Sequence, residues 1–316
     1  MTQGGSAIPV VVSTQPPDGG PALRVAVVSD GRPTEGGPAR AVVVVTDGRP
    51  TQGNVPMPVV LATGAQALFP IGGDPIPVVV VSGSLASDMA YTNKVIALSP
   101  IAYWPLAEAS GTTIVDESGN GRNGAYTSVT LGQTGIGDGR TAASFNGTAS
   151  FGNVFSASLA AALNNQEGSL ALWIRASGAG VWTDGAQRRC VRLAVDANNS
   201  LVIFKATTNN QLSWTYQAGG TSSTRSKAGV SSTAWLHVAL TWSKSGDAVK
   251  AYFNGVQEGA TLTGLGVWLG LLASSTTLIG ATSQTPGGVW SGTLAHVAVW
   301  ANVLSAAQIA TLAVVP

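Results

Sequence analysis

The sequence predicts an all-β protein: a jelly-roll sandwich over residues 100–316, preceded by a repetitive valine-rich β-strand segment over residues 1–90, with a linker at 91–99. Three observations lead there. Short apolar/polar alternations separated by turn residues recur at roughly even spacing after residue 100, the pattern of a two-sheet sandwich. Valine runs recur through the first ninety residues. Of the nine tryptophans, eight lie beyond position 170, so the large core-forming side chains gather in the second part of the chain.

In the leader, Ser-Asp-Gly-Arg-Pro-Thr at 29–34 returns as Thr-Asp-Gly-Arg-Pro-Thr at 46–51, and the valine runs end at Ser13, Ser29, Thr46, Ala62 and Ser82. Their spacing is 16 or 17 residues with a last step of 20. Connectors such as QPPDGGPA supply glycine for positive φ, proline for fixed φ and aspartate for local backbone bonding. Each unit therefore reads as one strand and a turn-rich return. The runs do not alternate with polar residues, which is the mark of strands covered on both faces. Phe69 is the leader's one aromatic residue, so its own core is thin. Pro9, Pro58 and Pro77 open three of the runs, where a missing N–H is tolerated. These strands are expected to find neighbours in copies of the chain or in another protein, through Val10, Val11, Val12, Val27, Val28, Val43, Val44, Val45, Val59, Val60, Val79 and Val80. The competing reading, a disordered Gly/Pro linker, is opposed by the high β-branched content.

The second part justifies its strands one by one. Leu170, Leu172 and Ile174 alternate with Ala171, Trp173 and Arg175. Residues 201–216 read as a hairpin about a Thr-Asn-Asn turn, and 235–259 as two strands around Ser-Lys-Ser-Gly-Asp followed by an Asn254-Gly255 turn. Gly292–Trp300 is the closing strand. Ser305 and Gln308 form a capping-box start for a short helix ending near Leu312.

Composition narrows function. Charged residues are 10% of the chain and the net charge is +1, which gives no footprint for DNA, RNA or an anionic membrane surface. Cys190, the one cysteine, excludes an internal disulfide framework. No Sec-type signal is read at the start, and no apolar run approaches the roughly 18 residues of a membrane helix. Gly119, Gly121 and Gly124 match a dinucleotide fingerprint in spacing, but a strand-like AYTSVTL follows them where a helix is required. His237 and His296 sit inside alternating strands and read as structural. Arg188 and Arg189 precede Cys190 and would lower its pKa if they faced it. The acidic residues lie mostly in turns and form no strand-borne pair of the kind glycoside hydrolysis needs, so no enzyme is expected.

The motifs from Pro100 to Leu312 resemble, in order, those of the laminin-G-like, concanavalin-A-like jelly-roll superfamily. They are PIAYWPLAEASGTTIVDESGNGRNGAY, TAASFNGTASF, GSLALWIRAS, WLHVALTWS, VKAYFNGVQEG and GTLAHVAVWANVLSAAQIATL. The resemblance implies a fold that hosts lectins, enzymes and spacers alike. Relatives often carry acidic residues in the closing strand that help to hold calcium; Ala295-His296 stands there instead. Asp116, Asn120 and Asn123 are the oxygen donors left for a calcium ion. Sugar binding would use exposed aromatic rings beside polar groups, which nominates Trp182, Asp184 and Trp290. The alternative for both tryptophans is core packing.

An assembling strand array joined to a jelly roll without a catalytic set describes a bacteriophage virion protein. The expected roles are capsid decoration, head-fibre or tail-fibre subunit: a homo-oligomer, as a trimer, in contact with other virion proteins. It is assembled in the host cytoplasm, and its jelly roll is displayed outward toward host surface glycans. The alternative is a lectin or adhesin module of a bacterial surface protein.

Overall fold

The computed structural model describes residues 10–14, 23–29, 41–46, 59–61, 85–285 and 287–315. The chain divides into two units, Met1–Ser84 and Leu85–Pro316.

In the first unit β1 (Val10–Thr14), β2 (Leu23–Ser29), β3 (Ala41–Thr46) and β4 (Val59–Leu61) coincide with the first four valine runs. They form one antiparallel sheet in the order β1-β2-β3-β4, with Val12 opposite Val25, Val27 opposite Val43 and Val44 opposite Val60. The described strands thus take their ladder partners from within the chain. The turn-rich connectors are short enough to fold each run back beside the previous one. The fifth run, with Val79 and Val80, lies outside the described residues.

The second unit begins with α1 (Leu85–Ile96), followed by β5 (Ala102–Trp104), β6 (Thr113–Ile114), β7 (Gly124–Thr127), β8 (Thr130–Thr134), β9 (Thr141–Asn146) and β10 (Phe151–Asn153). Next come α2 (Ala157–Ala162), β11 (Glu167–Ala176), β12 (Arg188–Ala194), β13 (Ser200–Lys205), β14 (Leu212–Ala218) and β15 (Thr221–Lys227). β16 (Leu236–Ser243), β17 (Ala248–Phe253), β18 (Val256–Gln257), β19 (Leu278–Ile279), β20 (Ser291–Trp300) and α3 (Ala306–Leu312) complete it. No helix among the described residues is long and apolar enough to cross a membrane.

The strands make two sheets. The first runs β15-β14-β13-β12-β19-β10-β7-β6, the second β18-β17-β16-β11-β20-β9-β8 with β5 also paired to β20. Leu170, Leu172 and Ile174 of the second sheet share one apolar cluster with Leu201, Ile203 and Trp214 of the first. The Asn254-Gly255 turn has positive φ at both residues, 48° and 82°, as a two-residue hairpin turn requires. Ser305 and Gln308 make the reciprocal hydrogen bonds of the capping box.

The linker expected at 91–99 is corrected. Residues 85–96 form α1, whose Tyr91 and Val95, one turn apart, are buried in a second cluster with Trp173, Tyr103, Ile309 and Leu312. The period-3.6 pattern of this stretch is short and was hidden by the valine-rich sequence before it. Tyr91 Oη accepts from Trp173 Nε1 (2.7 Å) and donates to the Leu312 carbonyl (2.9 Å), so α1, β11 and α3 are joined by one side chain.

β20 carries a bulge. Ala171 faces Ala298 while Trp173 faces Ala295, so β20 uses an extra residue, and His296 takes φ 52° with its N–H on the Pro105 carbonyl. Its Nδ1 lies 2.7 Å from Tyr103 Oη, and its Nε2 is 3.0 Å from Asp138 Oδ2 but off the line of a hydrogen bond. His237, fully buried against Trp173, has no hydrogen-bond partner on either ring nitrogen. Both histidines are structural strand residues.

Two outcomes follow. Tyr91→Ala should lower unfolding free energy by about 3–5 kcal/mol, as loss of a large buried aromatic does; denaturation followed by tryptophan emission reads this unit alone, since all nine tryptophans lie in it. Burial, then the nearby His296, pulls His237 from 6.5 down to about 3, and burial likewise holds His296 low against the opposing pull of Asp138. The unfolded chain binds these protons near 6.5 and the folded one binds them less readily. Stability is therefore full above that pH and falls below it, by up to about 1.4 kcal/mol per pH unit for each histidine. Denaturant midpoints at pH 7.5 and 5 should show this fall, and His237→Phe should reduce it to the part that His296 contributes.

Candidate functional site

In β12 the order Arg189-Cys190-Val191-Arg192 would place the two arginines on opposite faces of a regular strand. A bulge changes that. Arg189 pairs with Phe204 and Val191 with Ile203, so Cys190 is an extra residue on β12. Cys190 and Val191 are both fully buried in the inter-sheet core, and Arg189 and Arg192 both project from the outer face. There they line an outward groove of ≈330 Å³ with Val202, Phe204, Thr215, Gln217, Ser222 and Thr282 among its walls.

Strand alternation builds the rest of that face. Leu201 and Ile203 of β13 point into the core while Val202 and Phe204 point out. Across β14 and β15 the outward residues are hydroxyls in cross-strand pairs: Ser213 Oγ to Ser226 Oγ at 2.8 Å, and Thr215 Oγ1 to Thr224 Oγ1 at 2.9 Å. The Arg189 guanidinium carbon lies 4.5 Å from the centre of the Phe204 ring. Arg192 Nη1 donates to the Thr282 carbonyl at 2.8 Å. Arg189 Nε and Nη1 have no partner among the described residues. Burial, and secondarily the Arg192 charge, bring Arg189 down to about 10, still cationic at neutral pH.

The residues nominated from sequence fall elsewhere. Trp182 and Trp290 are both 0% exposed, edge-to-face at 6.0 Å in the inter-sheet core, and neither can stack on a sugar. Trp182 Nε1 donates to the Ser232 carbonyl. The sequence showed them in loop-like stretches, but the loop folds their rings inward. Asp184 accepts from Lys205 Nζ (2.8 Å), Arg188 Nε (2.6 Å) and the Ala186 N–H (2.9 Å). Burial pushes its carboxyl up, but those donors outweigh it and hold it below the ordinary value. Its partner Lys205 is fully buried, so Asp184 neutralises an interior charge.

Asp116, Asn120 and Asn123 do come together, but as a loop closure that does not fit calcium. Asp116 Oδ1 accepts from the Tyr103 and Ser118 N–H groups and Oδ2 from Arg122 N–H, while Asn123 Oδ1 accepts from Asp116 N–H. Asn120 presents its amide nitrogen to the Ile101 carbonyl. The oxygens of Asp116 and Asn123 already face N–H donors, where a cation would be repelled. Among the described residues no three His, Cys, Asp or Glu side chains gather as a metal site. Cys190 is corrected too: Arg189 lowers its thiol pKa only in part, and burial pushes it up. The strand that follows Gly121 is β7, as the rejection of a dinucleotide site required. Arg189 was noted only as a neighbour of Cys190 and Arg192 was not singled out, because their shared face depends on the bulge.

The sequence profile of the concanavalin A-like lectin/glucanases superfamily matches residues 146–310. The chain belongs to that superfamily. Among solved structures, it is similar to the binding domain of Paraclostridial Mosquitocidal Protein 1, at 16% identity and TM-score 0.53 over 69% of this chain and 52% of that one. It is similar to a chain of botulinum neurotoxin type C, a toxin whose cell entry depends on interaction with two ganglioside molecules, at 15% identity and TM-score 0.50 over 71% and 52%. It is also similar to domain 4 of AbnA, an extracellular GH43 arabinanase of Geobacillus stearothermophilus, in complex with arabinotriose, at 18% identity and TM-score 0.47 over 68% and 98%. The match thus spans about half of each toxin chain. No match is found among curated proteins. The likenesses at TM-score 0.53 and 0.50 show the fold alone.

For this superfamily member, Asp184→Asn should cost about 3 kcal/mol, the low end of what an unpaired buried charge costs, because Lys205 loses its counter-ion. The lost stability should return in the double variant Asp184→Asn with Lys205→Met, measured by denaturant unfolding.

Proposed function

We propose that the Leu85–Pro316 unit is a carbohydrate-binding module that holds saccharide in the groove over β12–β15 without cleaving it. The observation that carries the reading is the groove itself, where hydroxyl, amide and guanidinium groups converge beside one aromatic ring. Saccharides offer many hydroxyls, each a donor and acceptor, and Thr215, Gln217 and Ser222 match that chemistry. Membership of a superfamily described by its lectins and glucanases supports a saccharide ligand, as does the likeness to a toxin whose cell entry depends on gangliosides. Binding is favoured over hydrolysis because no residue lining the groove is acidic, whereas glycosidases work with two flanking carboxylates.

As a finer reading we propose display on a bacteriophage particle, as a capsid decoration, head-fibre or tail-fibre subunit. The valine-rich unit would then anchor or oligomerise the chain, as a trimer, against other virion proteins assembled in the host cytoplasm. What supports this is the repeated strand unit, whose sheet leaves β1 and β4 as outer strands with one neighbour each among the described residues. Outer strands are templates for further strand pairing. The alternative is a lectin module of a bacterial surface protein.

A glycan panel probed with the full chain should show bound saccharides, with Gln217→Ala weakening them about tenfold, roughly one hydrogen bond's worth; a panel without any binding removes the carbohydrate reading. Light scattering should give the full chain a multiple of its monomer mass and residues 85–316 a single mass. A monomeric full chain removes the assembly reading.

A further inference from the structure

We propose that the groove selects acidic saccharides, with Arg189 and Arg192 receiving a carboxylate or sulfate borne on a sugar ring. This rests on the carbohydrate reading above and narrows it.

The first ground is where positive charge is left over. Arg140 is paired with Glu117, Arg188 and Lys205 with Asp184, and Lys227 with Glu258. Like Lys94, Arg122, Arg175, Arg225, Lys244 and Lys250, Arg189 and Arg192 form no ion pair among the described residues; what sets these two apart is that both line one groove and no acidic residue lines it with them. In a chain of net charge +1, two uncompensated guanidiniums on one wall are a local concentration of charge.

The second ground is the state of Arg189. Its Nε and Nη1 are buried without acceptors, and unsatisfied buried donors are costly. Burial and the neighbouring Arg192 both disfavour its charge. An anion entering the groove would offset the penalty on its charge. Stacking on Phe204 holds the guanidinium plane before the ligand arrives, and a planar fork of donors suits carboxylate and sulfate alike.

The third ground is what surrounds the cations. Thr215, Gln217 and Ser222 offer neutral donors and acceptors beside the two charges, a match for ring hydroxyls next to an acidic group. A bare anion would use the arginines and leave these groups in water.

Selection and architecture trace to one residue insertion. Without the Cys190 bulge, Arg192 would point into the inter-sheet core. The spacing Arg-x-x-Arg within a strand is therefore the sequence signal, provided the two residues between are apolar enough to be buried together.

The test uses the full chain and a panel that pairs each uronate-, sialate- or sulfate-bearing oligosaccharide with its neutral parent, together with sodium sulfate. Acidic members should bind at least tenfold tighter than their parents, and less tightly as salt rises. Arg189→Gln and Arg192→Gln should each lose about 10- to 100-fold toward acidic members, the scale of a charge-assisted hydrogen bond, and about twofold or less toward neutral ones. Arg189→Lys should recover only part of the loss, because the fork is gone. The melting temperature of Arg189→Gln should stay level or rise, which separates ligand contact from a folding role. If Arg189→Gln fails to fold, the Arg192→Gln and Arg189→Lys comparisons decide. Equal affinity for acidic and neutral members, unmoved by the arginine variants, overturns acidic selection and leaves the carbohydrate reading standing. Binding to no saccharide at all overturns both. Sodium sulfate held as tightly as a sulfated sugar overturns the saccharide assignment in favour of a simple anion site.

Discussion

The apolar layer between the two sheets is the constraint to which the rest of this unit answers. Leu170, Leu172 and Ile174 from one side meet Leu201, Ile203 and Trp214 from the other, and each is essentially without solvent exposure. Burial of that kind contributes about 25 cal/mol per Å² of apolar surface removed from water, so register in every strand is chosen by it. A strand that slipped by one residue would exchange its whole inward set for the residues of its other face. The outer faces receive whatever the inner face does not claim.

The two outer faces meet different fates. Over the second sheet, α1 and α3 cover a cluster of Trp173, Tyr91, Tyr103 and Leu312, and polar atoms there are tied together across long sequence distances. That cover turns β11 and β20 into strands buried on both sides, which is why their residues read as almost uniformly apolar. Over β12–β15 the hydroxyl pairs and the two arginines line an open groove. One sheet back is closed by helices; the other presents chemistry.

Bulges do the local work in both places. The extra residue in β20 turns His296 onto the helix-covered face beside Ala295, and the extra residue in β12 turns Arg189 and Arg192 onto the groove face. Each insertion breaks the period-two rule for one step, and each lies beside the most unusual polar side chains of its sheet. His237 and His296 stay uncharged in their interior at neutral pH, and Arg189 keeps its charge.

Much of the fold was legible before any coordinates. The alternation of Leu170, Leu172 and Ile174, the 201–216 hairpin, the Asn254-Gly255 turn and the Ser305 capping box are local signals, set by side-chain period, positive-φ tolerance and short-range hydrogen bonds. So were the first four valine strands, although not that they pair with one another. The candidate site was not legible. Trp182 looked exposed because its neighbours are loop residues, yet its ring turns into the core, and Asp184, which is exposed, spends its carboxylate on Lys205 and Arg188. Asp116, Asn120 and Asn123 carried the right atoms for a cation but aimed them at backbone N–H groups. The sequence by itself determined the strands, their turns and the superfamily's order of motifs, because those rest on neighbours in the chain. Which side chains share a face across β12, and which loop residues turn inward, was decided by tertiary packing. A single bulge or a buried counter-charge depends on residues tens to hundreds of positions away.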